Sequence, residues 1–228
     1  MDAVRDVWEF LTTGDNWRGA RGIWTLTRAH LHISFVASAL ALVLAVPPAV
    51  WLAHHRKAPV LSVAIANIGR AIPSFAIIAL VFPISIQLGL GLGFWPTCVA
   101  LVALGIPPLF VNTYAGVAGA SREAVEAARG IGMTEGQVLR KVELPTALPL
   151  IIAGFRISAV QIVATATLGA LVGYRCLGTL ILEGLAQPTA ARDRLLTGAL
   201  LVAALAMAVD FVIDRAEPRL VPWTKRVR

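Results

Sequence analysis

Charged residues are scarce in this chain: of 228 residues only 14% are charged, while 57% are hydrophobic and the mean hydropathy is +0.76. The surface of an ordinary soluble domain needs a larger charged fraction, so this composition excludes that class. A bilayer-spanning helix takes about 20 apolar residues, and the hydrophobic content is enough for about five or six such helices. The sequence therefore predicts an all-α polytopic membrane protein.

Residues typical of metal binding and catalysis are also few. The two cysteines, Cys98 and Cys176, lie far apart without a CxxC or Cys/His pairing, so neither a disulfide framework nor a metal site is predicted. Only three lysines are present, and none of them completes a GxxxxGK[ST] phosphate-binding loop. We therefore expect a chain that is not an enzyme and that holds no metal or cofactor of its own.

Long apolar runs alternate with polar connections. The candidate membrane spans are residues 31–53, 62–87, 93–116, 146–173 and 195–215. Several prolines fall in these runs, which is tolerated in a membrane bundle because neighbouring helices satisfy the freed carbonyls. The spans define a transmembrane domain at 31–216, between an N-terminal extracytoplasmic segment, 1–30, and a basic cytoplasmic tail, 217–228. A sixth span, from a different division of residues 62–116, stays open as an alternative.

Basic residues are distributed unevenly over the connections between these runs. With five spans, one side of the membrane collects eleven Lys and Arg residues and the other side seven. The positive-inside rule then places the C-terminus in the cytoplasm and the N-terminus outside, in the cytoplasmic (inner) membrane of a cell. The net charge of +7 is explained by this orientation, so nucleic-acid binding is not predicted.

Two adjacent histidines, His54 and His55, follow the first apolar run. Neighbouring residues on a helix point about 100° apart, which is unsuited to joint metal binding. Together with Arg56 and Lys57 they indicate a basic anchor at the membrane interface.

The connection at 118–145 is too charged to lie in lipid and has its own helix signals. Ser121 is placed to cap a first helix, and Gly130 or Gly132 can end it with a left-handed residue. Thr134, followed three residues later by Gln137, fits a capping box for a second helix. We expect two short helices joined at a glycine elbow.

The end of this connection carries a further signal. Pro145 restricts Leu144 before it, so we expect the second short helix to stop there and the next span to begin.

A spaced motif lies within residues 118–145: Glu126-Ala127-Ala128, three residues, Gly132, nine residues, Val142, one residue, and Leu144-Pro145. It resembles the EAA loop of binding-protein-dependent ABC importer permeases, with Val in place of the usual Ile. The resemblance implies a coupling helix that docks in a groove of a separate ATP-binding subunit. The residues it implies for ATPase coupling are Glu126, Ala127, Ala128, Gly132, Met133, Val142, Leu144 and Pro145.

The resemblance extends over about residues 30–185 and indicates a subfamily. The long run EAARGIGMTEGQVLRKVELPTALPLIIAGFRIS from Glu126 is the specific part, and it is similar to permeases for glycine betaine, choline, carnitine and proline betaine. His30-Leu31 with Ser34, AIPSFAIIAL from Ala71, NTYAG from Asn112 and TATLGALVG from Thr165 add to this similarity. This implies import by alternating access, with ATP and Mg held by the ATP-binding partner. It also implies an extracytoplasmic substrate-binding protein and a second permease subunit, identical or homologous, in the lipid membrane.

Polar residues within apolar runs are candidates for a substrate path, because burying them is costly unless they line a cavity or pair. The candidates are Arg70, Asn112, Arg156, Gln161, Thr165 and Thr167. The two arginines could instead extend to the interface, and the two threonines could hydrogen-bond within their own helix.

Other functions stay open at this point. A permease for another small solute, such as an amino acid, fits the same motifs, and a secondary transporter or a membrane scaffold fits the composition. A secondary transporter would use ionisable residues at mid-membrane, and the apolar runs contain no clear Asp or Glu before Asp210.

Overall fold

The computed structural model describes residues 2–57, 59–187 and 191–222, and the regular structure within them is helical, which confirms the predicted fold class. The described α-helices are α1 (Asp2–Thr12), α2 (Ile23–His54), α3 (Pro59–Ala71), α4 (Ser74–Gln87), α5 (Phe94–Ala118), α6 (Arg122–Gly130), α7 (Glu135–Val138), α8 (Leu144–Thr165), α9 (Gly178–Ala186) and α10 (Arg192–Leu220). Between them lie a π-helical turn, Leu139–Glu143, and two 3₁₀ turns, Gly14–Trp17 and Ala166–Val172.

Four helices among the described residues are long and apolar enough to cross a membrane. They are α2, α5, the continuous helical stretch Glu135–Val172, and α10. Prolines lie inside α2, α5 and α8 within the predicted runs, as the sequence led us to expect for packed membrane helices. The proline inside α10, Pro218, lies beyond the predicted run. Helix α2 begins earlier than the apolar run that predicted it, and α10 extends into the predicted tail at 217–228, of which residues 223–228 lie outside the described residues.

The apolar run at 62–87 is divided between two helices and does not form one continuous helix. Helix α3 ends at Ala71, and Pro73 adopts an extended conformation with ψ of 131° before α4 starts. Proline lacks the N–H that a continuing helix needs, and its ring disfavours helical geometry at the residue before it. With 14 residues, α4 is about 21 Å long, which is shorter than the hydrocarbon core.

The chain forms two compact units, and each long helix contributes to both. The first unit contains the chain up to Ser38 with Pro73–Leu104 and Ala159–Val209, and the second contains Ala39–Ile72, Gly105–Ser158 and the chain from Asp210 onward.

The first unit has an apolar core formed by α1, the start of α2, α9 and α10. Its buried members are Phe10, Ile23, Leu26, Leu177, Leu180 and Val202. Close approach of α10 to α9 depends on Gly198, where a Cβ would lie only 2.9 Å from the Cβ of Leu180. The tight contact explains why a residue without a side chain occupies this position.

A turn at 173–177 lies in the first unit and is held by two side-chain hydrogen bonds. Gly173 takes a left-handed φ of 87°, which glycine adopts without strain. The Tyr174 hydroxyl donates to the carbonyl of Ala29 at 2.8 Å, and the Cys176 thiol donates to that of Ala166 at 3.3 Å. Burial raises the pKa of Tyr174 to about 12 and that of Cys176 to about 11, so both side chains are neutral structural donors at physiological pH.

The second unit is built on the contact between α5 and α8. A Cβ on Gly116 would lie 3.0 Å from the carbonyl oxygen of Ala147, and one on Gly154 would lie 2.7 Å from the Cβ of Asn112. The Ser158 hydroxyl donates to the carbonyl of Gly105 at 2.9 Å. Small residues and an interhelical hydrogen bond are the features that hold membrane helices together in the absence of a strong hydrophobic driving force.

Candidate functional site

The coupling loop, residues 118–145, begins with the predicted helix α6. The Ser121 hydroxyl accepts from the Ala124 N–H at 3.2 Å, which confirms Ser121 as the helix cap. The same hydroxyl donates to the Glu123 carboxylate at 2.5 Å, and this bond lowers the pKa of Glu123. The start of the loop is therefore fixed by local side-chain bonds.

The glycine elbow and the second helix of the coupling loop are also present. Gly132 has a φ of 85°, as predicted for a left-handed residue at the end of α6. The Gln137 side chain accepts from the Thr134 N–H at 2.9 Å, completing the predicted capping box at the start of α7.

Helix α8 begins at Leu144, where the next span was expected, but no break separates it from the second short helix. The chain continues from α7 through the π-helical turn into α8. Pro145 has no N–H to donate and its ring crowds the carbonyl four residues earlier, and the wider turn at Leu139–Glu143 precedes it directly. Val142, Leu144 and Pro145 are half-buried in this helical stretch.

The coupling loop encloses a small core of its own. Its buried members are Ala120, Val125, Ala128 and Val138, with Met133 and Val142 packed against them. Ala128 is 6% exposed, so it contributes to this core and not, as the sequence led us to expect, to a surface that a partner could contact.

The exposed surface of the coupling loop is formed by other residues. Glu126, Ala127 and Gly132 are exposed, and Ile131 between two glycines is 77% exposed. Sequence reasoning missed Ile131, although an apolar residue in a charged segment, outside the helical periodicity, was a usable signal.

His54 does not act as the basic interfacial anchor that its sequence neighbours suggested. Its side chain is 9% exposed, and Nδ1 lies 2.5 Å from a carboxylate oxygen of Glu143, which is 3% exposed. His54 Nε2 lies 3.5 Å from Glu135, and Glu135 forms two hydrogen bonds of 2.9 Å with Arg129. The end of α2 is thus linked to the coupling loop on both sides of the glycine elbow.

A second polar cluster in the second unit joins α8 and α10. Arg156 donates to both carboxylate oxygens of Asp210, at 2.5 and 2.7 Å, and to Asp214 at 2.7 Å. The side chains of Arg156, Asp210 and Asp214 are 32, 40 and 53% exposed. Arg156, a predicted path residue, is thus held by two carboxylates that sequence reasoning did not connect to it.

The other predicted path residues are not brought together into one site. The Asn112 amide donates to the carbonyl of Pro108 at 2.8 Å, and the Thr167 hydroxyl donates to that of Ala164 at 2.9 Å, both within their own helices. Gln161 and Thr165 are half-buried. The side chain of Arg70 lies outside the described residues.

Comparison with known proteins identifies the type of membrane protein. Residues 30–222 match the family described as the inner membrane component of binding-protein-dependent transport systems. The chain belongs to this family. The matched region contains the coupling loop and all four long apolar helices except the start of α2.

The permease has curated relatives of similar length. It is 36% identical over 198 residues to the carnitine transport permease protein OpuCB of Listeria monocytogenes, covering 86% of this chain and 87% of that one. It is 37% identical over 198 residues to the choline transport system permease protein OpuBB of Bacillus subtilis (strain 168), with the same coverage.

A solved structure of the MetNI methionine ABC transporter, in an inward-facing conformation, has the same fold as the permease. The TM-score is 0.75 at 25% identity, covering 92% of this chain and 99% of that one. The permease is therefore a transport subunit in a membrane, as its sequence predicted.

Proposed function

We propose that this permease is the membrane subunit of an ATP-driven ABC importer for quaternary-ammonium osmoprotectants such as glycine betaine, choline, carnitine and proline betaine. The observation that carries this proposal is the 36–37% identity, over 86% of the chain, to relatives named for carnitine and choline. A family of binding-protein-dependent transport components supports three kinds of partner: an ATP-binding subunit that holds ATP and Mg, an extracytoplasmic binding protein and a second permease subunit.

The coupling loop is the surface we assign to the ATP-binding subunit. Glu126, Ala127 and Ile131 are exposed beside the glycine elbow, and exposed apolar side chains next to small residues suit a helix that enters a groove. The charge distribution supports a cytoplasmic position for this loop and for the C-terminus, with the N-terminus outside.

We assign the solute path to the open side of the Arg156 cluster. Charged groups within a membrane span face protein or water instead of lipid, and one arginine with two carboxylates carries an excess negative charge. That sign suits a cationic head group. Gln161 and Thr165 stay separate candidates for path residues, whereas the Asn112 amide and the Thr167 hydroxyl are engaged within their own helices.

Uptake by the reconstituted importer tests the function. The permease, its co-purified ATPase and the binding protein are placed in liposomes, and uptake of labelled choline, glycine betaine and carnitine is compared with that of methionine and histidine. We expect uptake of the quaternary ammonium compounds that requires ATP. Uptake of an amino acid instead would refute the substrate class, and uptake by the permease alone would refute the ATP-driven mechanism.

Docking is tested separately with Ala127→Asp and Ile131→Asp. Both side chains are exposed, so we expect normal membrane insertion and loss of ATPase co-purification. Ala20→Asp, at an exposed alanine outside the coupling loop, is the matched control. Ala128→Asp is unsuitable, because it would place a charge in the core of the loop itself. Normal ATPase binding by both loop variants would exclude this surface.

A further inference from the structure

Glu143 carries a buried carboxyl group, and its close side-chain partner among the described residues is the imidazole of His54. Its side chain is 3% exposed, and an oxygen lies 2.5 Å from Nδ1 of His54, itself 9% exposed. Removing a carboxylate from water is costly, and the cost is recovered only with a well-placed partner. Neither residue belongs to the spaced motif that characterises the coupling loop, so the motif does not explain why this pair is present.

The contacts of His54 extend beyond Glu143. Nε2 lies 3.5 Å from Glu135, and Glu135 binds Arg129 through two bonds of 2.9 Å. One histidine at the end of α2 therefore contacts the π-helical turn and the start of α7, and through Glu135 it is connected to α6. The glycine elbow lies between Arg129 and Glu135, so these bonds also limit how far the elbow can open.

The end of α2 that carries His54 is itself well fixed. The Lys57 N–H donates to the carbonyl of Leu52 at 2.8 Å and the Arg56 N–H to that of Ala53 at 2.9 Å, which is the Schellman pattern at a helix end. Arg56 takes the left-handed conformation this motif requires, with a φ of 51°. The Tyr114 hydroxyl of α5 donates to the Lys57 carbonyl at 3.1 Å.

We propose that His54 is a positioning residue that transmits displacement of the coupling loop to α2. The covalent chain connects the loop only to α5 and α8, and the His54–Glu143 pair adds a third connection. Without this pair, the coupling loop can move relative to α2, so α2 follows only part of the loop's displacement. Less solute is then moved for each ATP hydrolysed. This inference rests on the proposed function, and its test separates the two.

The main test uses the double variant His54→Leu/Glu143→Leu. Replacing both members of a buried pair by apolar residues leaves no orphaned charge, so the permease should insert and retain its ATPase. We expect the solute moved per ATP hydrolysed to fall about fivefold or more, the lower range of coupling between sites. The single variant His54→Asn keeps Glu143 and retains a donor near the Nδ1 position. Its solute moved per ATP should therefore be much closer to wild type than that of the double variant.

His55→Leu is the matched control, because His55 is the adjacent histidine, is exposed, and has its described side-chain hydrogen bond with the Trp51 carbonyl. Its ring also meets that of His54 edge-on at 5.1 Å, and leucine keeps an apolar side chain at this contact. It should leave the ratio of solute to ATP unchanged. A double variant that equals wild type in solute moved per ATP overturns the inference.

Hydrogen exchange of the purified permease gives a readout that does not depend on transport. Amides of α7 should exchange about tenfold faster in the double variant, because the coupling loop has lost its attachment to α2. Unchanged exchange in α7 would overturn the inference about His54, whatever the importer transports. If the wild-type importer moves none of the tested solutes, the proposed function is refuted and the inference about His54 is not.

Discussion

Two clusters of ionisable side chains in the second unit have opposite surroundings. The His54–Glu143 pair is nearly closed to solvent, with side chains 9 and 3% exposed, whereas Arg156 and its two aspartates are 32 to 53% exposed. A buried pair fixes structure because each partner is unstable without the other. The partly exposed Arg156 cluster can still contact a solute or water. The degree of burial, and not the presence of ionisable groups, therefore distinguishes the positioning pair from the candidate solute path.

Removing one partner of the closed pair should give the largest effect. His54→Leu leaves the buried Glu143 carboxyl group without its partner, which should lower the free energy of unfolding by about 3 kcal/mol, the upper end for an unsatisfied buried polar group. The midpoint of thermal unfolding in detergent measures this, with His54→Leu/Glu143→Leu as the control that should recover most of the loss. Equal midpoints for the single and double variants would contradict the burial argument.

The open cluster should tolerate change better. Arg156→Ala should lower the unfolding midpoint less than His54→Leu, because the released carboxylates of Asp210 and Asp214 are partly exposed. Within the cluster, Asp210→Asn should cost more than Asp214→Asn, since Asp210 accepts two bonds from Arg156 and Asp214 accepts one. The reverse order for the two aspartates would show that the two-bond contact is not the stronger one.

The smallest expected effect concerns the glycine elbow of the coupling loop, where two nearby glycines can be compared. Gly132→Ala should cost about 1–2 kcal/mol of local stability, because its φ of 85° is unfavourable for alanine although nothing lies within 4 Å of the new Cβ. Gly130→Ala has equal space and no left-handed φ, so it should be neutral or slightly stabilising. Protease cleavage rates within the coupling loop report this difference, and equal rates for both variants would exclude strain at Gly132.

Local signals in the sequence predicted much of the coupling loop. The cap at Ser121, the left-handed Gly132 and the capping box at Thr134 each depend on residues within three positions, so spacing alone reveals them. The burial of Ala128 was not visible in this way, because it depends on Val138 folding back across the elbow. The motif therefore locates the coupling loop in the sequence but does not predict which of its side chains are exposed.

Contacts between distant residues account for most of what sequence reasoning missed. His54 and Glu143 are 89 positions apart, and Arg156 and Asp210 are 54 apart, so no spacing rule connects them. The break at Pro73 has a local cause, since it depends on one proline and not on a distant contact. Prolines inside α2 and α5 are indeed accommodated, and the local sequence does not distinguish these cases.

The separation between His54 and Glu143 also orders events during synthesis. At translation rates of about 5–20 residues per second, the 89 residues between them take about 4–18 s to emerge. The histidine therefore leaves the ribosome long before the carboxylate that it will contact. When Glu143 emerges, its partner is therefore already present, and the coupling loop can bury this carboxylate against α2 as soon as the loop forms.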